Sequence, residues 1–290
     1  MLLKILMNTL PQAIPINRPL VAATGKPARS SADRLPTNWL QLTRLFAGYS
    51  ERLVRRNFHA VRILGSPDLA PLHGRPLVLF ANHPSWWDPL IGLTVWRQLF
   101  AERVPYAPID SITVEKYAFF KKLGFFGVER GTARGARDFL RTSRELLRQA
   151  NTLLLATPQG RFADVREPEL RFESGLGHLM RHCPGTAFLP LAIEYTFWEE
   201  KHPEVLIKLG EPLIADEGRT ALPADDLNRQ LEERLDQARR RLADASVRRE
   251  VNAFKTLLGG RVGTNPIYDA WRWLKAAARG QRFNPSHGDK

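Results

Sequence analysis

The sequence has almost no cysteine and no long apolar run. Cys183 is the single cysteine among 290 residues, so an internal disulfide framework is excluded and a cysteine-based zinc site has no ligand set. Nowhere do about 18 apolar residues follow one another, as a membrane-spanning helix requires. Asn8 and Pro11 interrupt the apolar opening segment, and no clear small-residue cleavage site follows it. We therefore expect a chain that is soluble or bound peripherally to a membrane.

Basic residues outnumber acidic ones by 43 to 30, which gives a formal net charge of +13. Such a field attracts phosphates, whether they belong to lipids, nucleic acid or coenzyme A. Trp39, Trp271 and Trp273 lie among basic and apolar residues near the termini, where an amphipathic ring suits either a lipid headgroup boundary or the core. His178 and His182 are spaced like a metal-binding pair, but no third ligand follows at a suitable spacing, so we predict no metal site.

Four segments are expected along the chain. A composition rich in Pro, Gly and Ser predicts an irregular arm over residues 1–37. Apolar residues at intervals of three and four, with arginines between them, predict an amphipathic basic helix over 38–65, which either packs on the core or lies on anionic lipid. The catalytic core is expected over 66–215. Residues 216–290 are expected to form a helical extension packed on that core, with a long helix at 224–250.

The central part of the chain alternates between two kinds of pattern. Helical periodicity occurs at 86–101 and 134–149. Short apolar runs that predict strands lie at 77–81, 104–109, 152–156, 187–193 and 205–209. This alternation predicts an α/β fold in which a mixed central sheet is flanked by helices, with amphipathic helices near both ends of the chain.

The segment LVLFANHPSWWDPL (77–90) carries the strongest signal for chemistry. Its strand ends at Asn82 and His83, and ligands of open α/β folds bind at the carboxyl ends of strands. Asp88 follows five residues later, so it can turn back to fix the imidazole tautomer while His83 accepts a hydroxyl proton. A purely structural interpretation stays open, because Ser85 and Asp88 also fit a helix-capping box.

In this segment the sequence resembles the lysophospholipid and glycerol-phosphate acyltransferase family, whose signature is Asn-His, four residues, then Asp. Asn82, His83 and Asp88 match it position for position. A second block, the aromatic-glycine stretch 124–130 ending in Arg130 and followed by Gly131, is similar to the segment that contacts the acceptor phosphate in that family. Arginine suits this role because its guanidinium forks match phosphate oxygens.

A third block follows the strand at 152–156 and consists of Thr157, Pro158, Gln159, Gly160 and Arg161. The resemblance implies that this block contacts the substrate, together with Asn82, Ser85, Arg130 and Gly131. The family has a glutamate where Gln159 stands, so the charge is lost while hydrogen-bonding capacity remains. A fourth match is the apolar strand around Pro190. Glu173 stands where relatives usually have a basic residue, which is a second departure in the polar part of the site.

The resemblance implies a glycerol-phosphate acyltransferase-like fold and transfer of a fatty acyl group to a lipid hydroxyl, such as that of a lysophospholipid. The donor would be acyl-CoA or acyl-ACP as co-substrate, with no other cofactor. Arg130, Arg134 and Arg161 would hold phosphates, and backbone N–H groups near Ser85 would stabilise the oxyanion. We expect the protein on the cytoplasmic side, peripheral to the inner face of a membrane.

Two other functions fit parts of the sequence. A membrane-docked scaffold that kept the fold but lost activity would explain Gln159 and Glu173, although the intact His83 and Asp88 argue against it. A nucleic-acid-binding protein would explain the net charge and the arginines at 228–250. Aromatic residues are missing from that segment, and acidic residues alternate with its basic ones, so no nucleic acid partner is expected.

Overall fold

A mixed sheet of nine strands runs through residues 35–261, the part of the chain that the computed structural model describes. The strands are β1 (Ala60–Leu64), β2 (Leu77–Ala81), β3 (Val104–Asp110), β4 (Phe125–Val128), β5 (Thr152–Ala156), β6 (Ala187–Thr196), β7 (Glu204–Leu209), β8 (Leu213–Ile214) and β9 (Phe254–Gly259). The helices are α1 (Leu40–Asn57), α2 (Asp88–Leu99), α3 (Ser111–Lys116), α4 (Ala118–Lys122), α5 (Ala133–Leu146), α6 (Gly175–His182), α7 (Glu217–Thr220) and α8 (Ala224–Val247).

The strand order places five carboxyl ends along one edge of the sheet. The order is β4-β3-β5-β2-β6-β7-β1-β9, with β8 paired to β6. Strands β4, β3, β5, β2 and β6 are parallel neighbours, whereas β7 is antiparallel to β6 and β9 is antiparallel to β1. The loops that follow the five parallel strands therefore meet at the same edge, which is where open α/β sheets bind ligands.

Alternating side chains of each central strand pack against two different helical layers, as the period of a strand requires. In β2, Leu77 and Leu79 join the apolar cluster that includes residues of α1 and α2. Val78 and Phe80 join the opposite cluster, which includes residues of α6 and α8. Both faces of the central strands are thus buried, which explains why they are continuous apolar runs in the sequence.

The structure confirms the α/β fold class and the five predicted strands, and it corrects two helical predictions. The helix predicted over 38–65 ends at Asn57, and β1 follows it, because Ala60 to Ile63 pair with β7. The extension predicted as helical contains β9, which is the edge strand of the sheet next to β1. Residues 1–34 of the arm predicted over 1–37 lie outside the described residues, as do Trp271 and Trp273 in the segment after residue 261. No helix within 35–261 is long and apolar enough to cross a bilayer.

Candidate active site

His83 and Asp88 meet where β2 gives way to α2. The strand ends at Ala81, and Asp88 is the first residue of the helix, so the short connection turns the carboxylate back towards the ring. The His83 Nδ1 atom lies 2.6 Å from Asp88 Oδ2. This contact is a hydrogen bond that fixes the imidazole orientation and leaves Nε2 as the free ring nitrogen.

Three donors surround the Asp88 carboxylate, which is nearly inaccessible to solvent. Besides His83, the Ser85 backbone N–H donates to Oδ2 at 3.0 Å, and the Tyr195 hydroxyl donates to Oδ1 at 2.6 Å. Asp88 therefore bonds the chain before the helix and orients His83 at the same time. The capping interpretation and the catalytic one describe the same carboxylate and do not exclude each other.

Tyr195 is a residue of this site that the sequence did not predict. It lies on β6, the parallel neighbour of β2, so its side chain reaches the same edge of the sheet. Burial raises the pKa of the Tyr195 hydroxyl well above its ordinary value, and the charge of Asp88 and the bond donated to it act in the same direction. The hydroxyl therefore keeps its proton and remains a donor to the carboxylate.

Two residues predicted to contact the substrate, Asn82 and Gln159, hold the loops of the site together. The Asn82 side chain exchanges two hydrogen bonds with the Ile193 backbone, at 2.9 and 2.8 Å, and so ties the end of β2 to β6. The Gln159 Oε1 atom accepts the His83 backbone N–H at 3.1 Å. Gln159 thus links the loop after β5 to the residue that carries the imidazole.

A cleft of about 410 Å³ opens beside the His83–Asp88 pair, within the size range of small-molecule sites. Most of its wall is apolar and comes from β2, β3, β5, α1, α2 and α4, including Phe46, Leu79, Leu93, Phe120 and Leu155. The polar part of the wall consists of His83, Asp88, Asp110, Thr113, Arg130, Thr157 and Arg161. The arrangement combines a long apolar wall with one base and two cations.

Phe162 covers part of the His83 ring. The two ring centroids lie 4.4 Å apart with planes inclined at 37°, and the next residue, Ala163, donates its backbone N–H to the His83 carbonyl at 2.9 Å. Phe162 itself is 45% exposed. The loop after β5 therefore shields one side of the imidazole from water while it remains at the protein surface.

The two arginines in the cleft wall differ in how their charge is compensated. Arg161 forms two hydrogen bonds with the carboxylate of Glu167, at 2.9 and 2.5 Å. Arg130 donates to the Gly160 carbonyl at 3.2 Å, and its only carboxylate contact among the described residues is with Asp110 at 3.8 Å. Arg130 is therefore the freer cation of the two for binding an anion.

Five of the predicted site residues line the cleft, and six lie outside its wall. Those that line the cleft are His83, Asp88, Arg130, Thr157 and Arg161. Those outside its wall are Asn82, Ser85, Gly131, Pro158, Gln159 and Gly160. The two glycines have φ angles of +70° and +64°, a backbone conformation that other residues rarely adopt. Their role in the structure is to form the turns that position Arg130 and Arg161.

Comparison with known proteins gives one family match and one similar solved structure. Residues 56–194 match the family model described as Acyltransferase, a range that includes His83 and Asp88. Among solved structures, the chain is similar to the 1-acyl-sn-glycerophosphate acyltransferase PlsC from Thermotoga maritima, with 17% identity, coverage of 71% of this chain and 79% of that chain, and a TM-score of 0.44. A search of curated proteins finds no match. For residues 56–194, the expected resemblance to an acyltransferase family is confirmed.

Proposed function

We propose that this chain, whose residues 56–194 match the Acyltransferase family model, moves a fatty acyl group from a thioester to a lipid hydroxyl. The observation that carries the proposal is the 2.6 Å contact between His83 and Asp88 in the wall of an apolar cleft. A base of this kind suits removal of a hydroxyl proton at neutral pH. An apolar cleft beside it suits an acyl chain.

In the proposed reaction, each atom of the pair has a role. Because Nδ1 faces Asp88, the proton of the neutral ring resides there, and Nε2 carries the lone pair that accepts the hydroxyl proton of the acceptor. The hydroxyl oxygen then attacks the thioester carbonyl carbon. When the tetrahedral intermediate collapses, the carbon–sulfur bond breaks and the imidazolium returns its proton to the thiolate. The reaction consumes no cofactor beyond acyl-CoA or acyl-ACP as co-substrate.

The backbone N–H groups expected to stabilise the oxyanion lie at the start of α2, and three of them are engaged within the protein. The Ser85 N–H donates to Asp88, the Trp87 N–H to the Ser85 hydroxyl, and the Asp88 N–H to the Ser85 carbonyl. These three groups are occupied and are not free to bind an oxyanion. We assign charge stabilisation to Arg161 in the cleft wall, and we assign the phosphate of a lysophospholipid acceptor to Arg130, which is less compensated.

Exposed apolar side chains support contact with a membrane surface. Trp39, Leu45, Ile112 and Phe119 are among the large apolar residues that remain accessible to solvent. Phe119 packs on Phe46 of the cleft wall, with ring centroids 5.8 Å apart, so one of these residues directly adjoins the proposed acyl site. We propose that they enter the lipid interface on the cytoplasmic side of a membrane, where basic residues of α1 meet anionic headgroups.

The test supplies the purified protein with labelled palmitoyl-CoA and palmitoyl-ACP on liposomes that each contain one acceptor. The acceptors are lysophosphatidic acid, lysophosphatidylcholine, glycerol 3-phosphate and diacylglycerol, and products are identified by mass. We expect an acylated lysophospholipid from the wild type and none from His83→Ala. His73→Ala, which removes an exposed histidine, should retain full activity. Equal transfer by wild type and His83→Ala would favour the scaffold function instead.

A further inference from the structure

Four arginines form a stripe along α5. Arg134, Arg137, Arg141 and Arg144 follow one another at intervals of three, four and three residues, and all four are exposed. At about 100° per residue, they fall within an arc of about 80° and extend over about 15 Å of the helix. We call this set the arginine stripe. It belongs neither to the cleft wall nor to the proton-transfer chemistry described above.

The charge of the arginine stripe is poorly compensated. Arg134 and Arg141 share the single carboxylate of Asp138, at 3.9 and 3.2 Å. Arg137 and Arg144 have no carboxylate within 4.0 Å among the described residues. In contrast, α8 carries five arginines and six acidic residues, and several of its arginines form ion pairs. The stripe is therefore a local excess of positive charge and not the usual mixed surface of a helix.

The position of the arginine stripe connects it to the cleft. Arg130 lies in the cleft wall, and α5 begins three residues later at Ala133. From there the helix runs over the sheet face opposite the apolar cleft, because Phe139, Leu140 and Leu146 pack with the cluster that contains α6 and α8 residues. The first arginine of the stripe, Arg134, is thus four residues from the cleft-lining Arg130, and a partner on the stripe would not cover the apolar wall.

We propose that the arginine stripe is the docking surface for an acidic helical protein that carries the acyl thioester. This inference rests on the proposed acyl transfer function and selects between its two donors. A row of guanidiniums about 15 Å long matches carboxylates along one face of another helix, whereas the phosphates of a nucleotide thioester are too compact to span it. Such complementary charge steers association and sets the orientation of the bound partner.

A membrane is a poorer match for this surface. None of the large apolar side chains exposed within residues 35–261 lies on α5, and interfacial helices combine basic residues with apolar ones that enter the lipid. The exposed apolar residues on α1, α3 and α4 meet that requirement. Trp39, Leu45 and Phe119 belong to segments that pack against the apolar cluster on the other face of the sheet from α5. The two surfaces therefore suit two different partners.

The experiment compares two double variants with the same change in charge. Arg137→Glu with Arg144→Glu reverses two charges in the stripe, and Arg44→Glu with Arg52→Glu reverses two exposed charges on α1. Binding of palmitoyl-ACP is measured by fluorescence anisotropy without lipid. We expect the stripe variant to bind roughly tenfold more weakly and the α1 variant to lose less than about twofold. Glutamine at positions 137 and 144 should give an intermediate loss and guards against misfolding of the glutamate variant.

Kinetics with two donors completes the test. The stripe variant should raise KM for palmitoyl-ACP about tenfold at unchanged kcat and leave KM for palmitoyl-CoA unchanged. Failure of wild-type transfer with both donors would refute the proposed function alone, since the binding comparison would still test the stripe. Three results would overturn the docking proposal: no binding of palmitoyl-ACP by the wild type, equal weakening by both double variants, or a stripe variant that loses binding only to phosphatidylglycerol vesicles.

Discussion

The most informative single change is Tyr195→Phe, which removes one hydroxyl from the support of Asp88. The Asp88 carboxylate is almost fully buried and accepts hydrogen bonds from His83, Ser85 and Tyr195. A hydrogen bond to a charged group contributes about 1.5–3 kcal/mol. If most of that contribution serves to hold Asp88 against the imidazolium, kcat falls about 10- to 100-fold, since about 1.4 kcal/mol corresponds to a factor of ten.

The split between kcat and KM distinguishes a positioning role from substrate binding. Tyr195 does not line the cleft, so KM for donor and acceptor should remain within about twofold of the wild type. Steady-state assays with one donor and one lysophospholipid measure both constants. Tyr106→Phe is the matched control, because Tyr106 lies on β3 outside the cleft wall. Unchanged kcat in Tyr195→Phe, or a rise in KM alone, would refute the positioning role.

Three further predictions concern the cleft, the acceptor and the cysteine. A Cβ at Gly92 would lie 3.8 Å from the Leu155 side chain in the cleft wall, so Gly92→Leu should favour donors with shorter acyl chains. For long-chain donors, kcat/KM should fall about fourfold per displaced methylene (~0.8 kcal/mol each). An unchanged chain-length profile would contradict the acyl site. Arg130→Ala should raise KM about tenfold or more for phosphate-bearing acceptors and leave diacylglycerol unaffected; equal effects on both would refute its role. Burial raises the pKa of Cys183 to about 11, so the thiol of the unfolded chain ionises first, and this residue's contribution to stability is lost as pH rises from about 9 to 11. Urea titrations should therefore show a steeper decline in the free energy of unfolding with pH for the wild type than for Cys183→Ala. Equal declines would contradict this prediction.

Several strands were predicted correctly because strands buried on both faces leave a clear apolar signal. β2 and β5 are examples in which nearly every side chain is buried. β1 was missed because Arg62 interrupts its apolar run, and only the structure reveals that this arginine is buried in an ion pair with Glu204. β9 gave no signal either, since several of its side chains are exposed at the edge of the sheet.

In the candidate site, the sequence predicts contacts between residues that are close in the chain and misses those between distant residues. His83 and Asp88 are five residues apart, so the connection between one strand and one helix brings them together, and the sequence pattern is sufficient to predict the contact. Tyr195 contacts Asp88 across 107 positions of sequence, and no local pattern reports such a contact. The contact of Gln159 also needed the structure, because its hydrogen bond to the His83 backbone depends on the pairing of β2 with β5.

The central claim is that His83 and Asp88 act together as one proton-transfer unit. The most direct measurement is the single-turnover rate of acyl transfer in wild type, His83→Ala, Asp88→Asn and the double variant, each with its fold checked by thermal unfolding. Asp88→Asn should slow transfer by about 10³- to 10⁴-fold, because an amide stabilises the wrong imidazole tautomer. We predict that the double variant is no slower than His83→Ala alone. Losses that multiply in the double variant, or full activity in either single variant, would contradict the account.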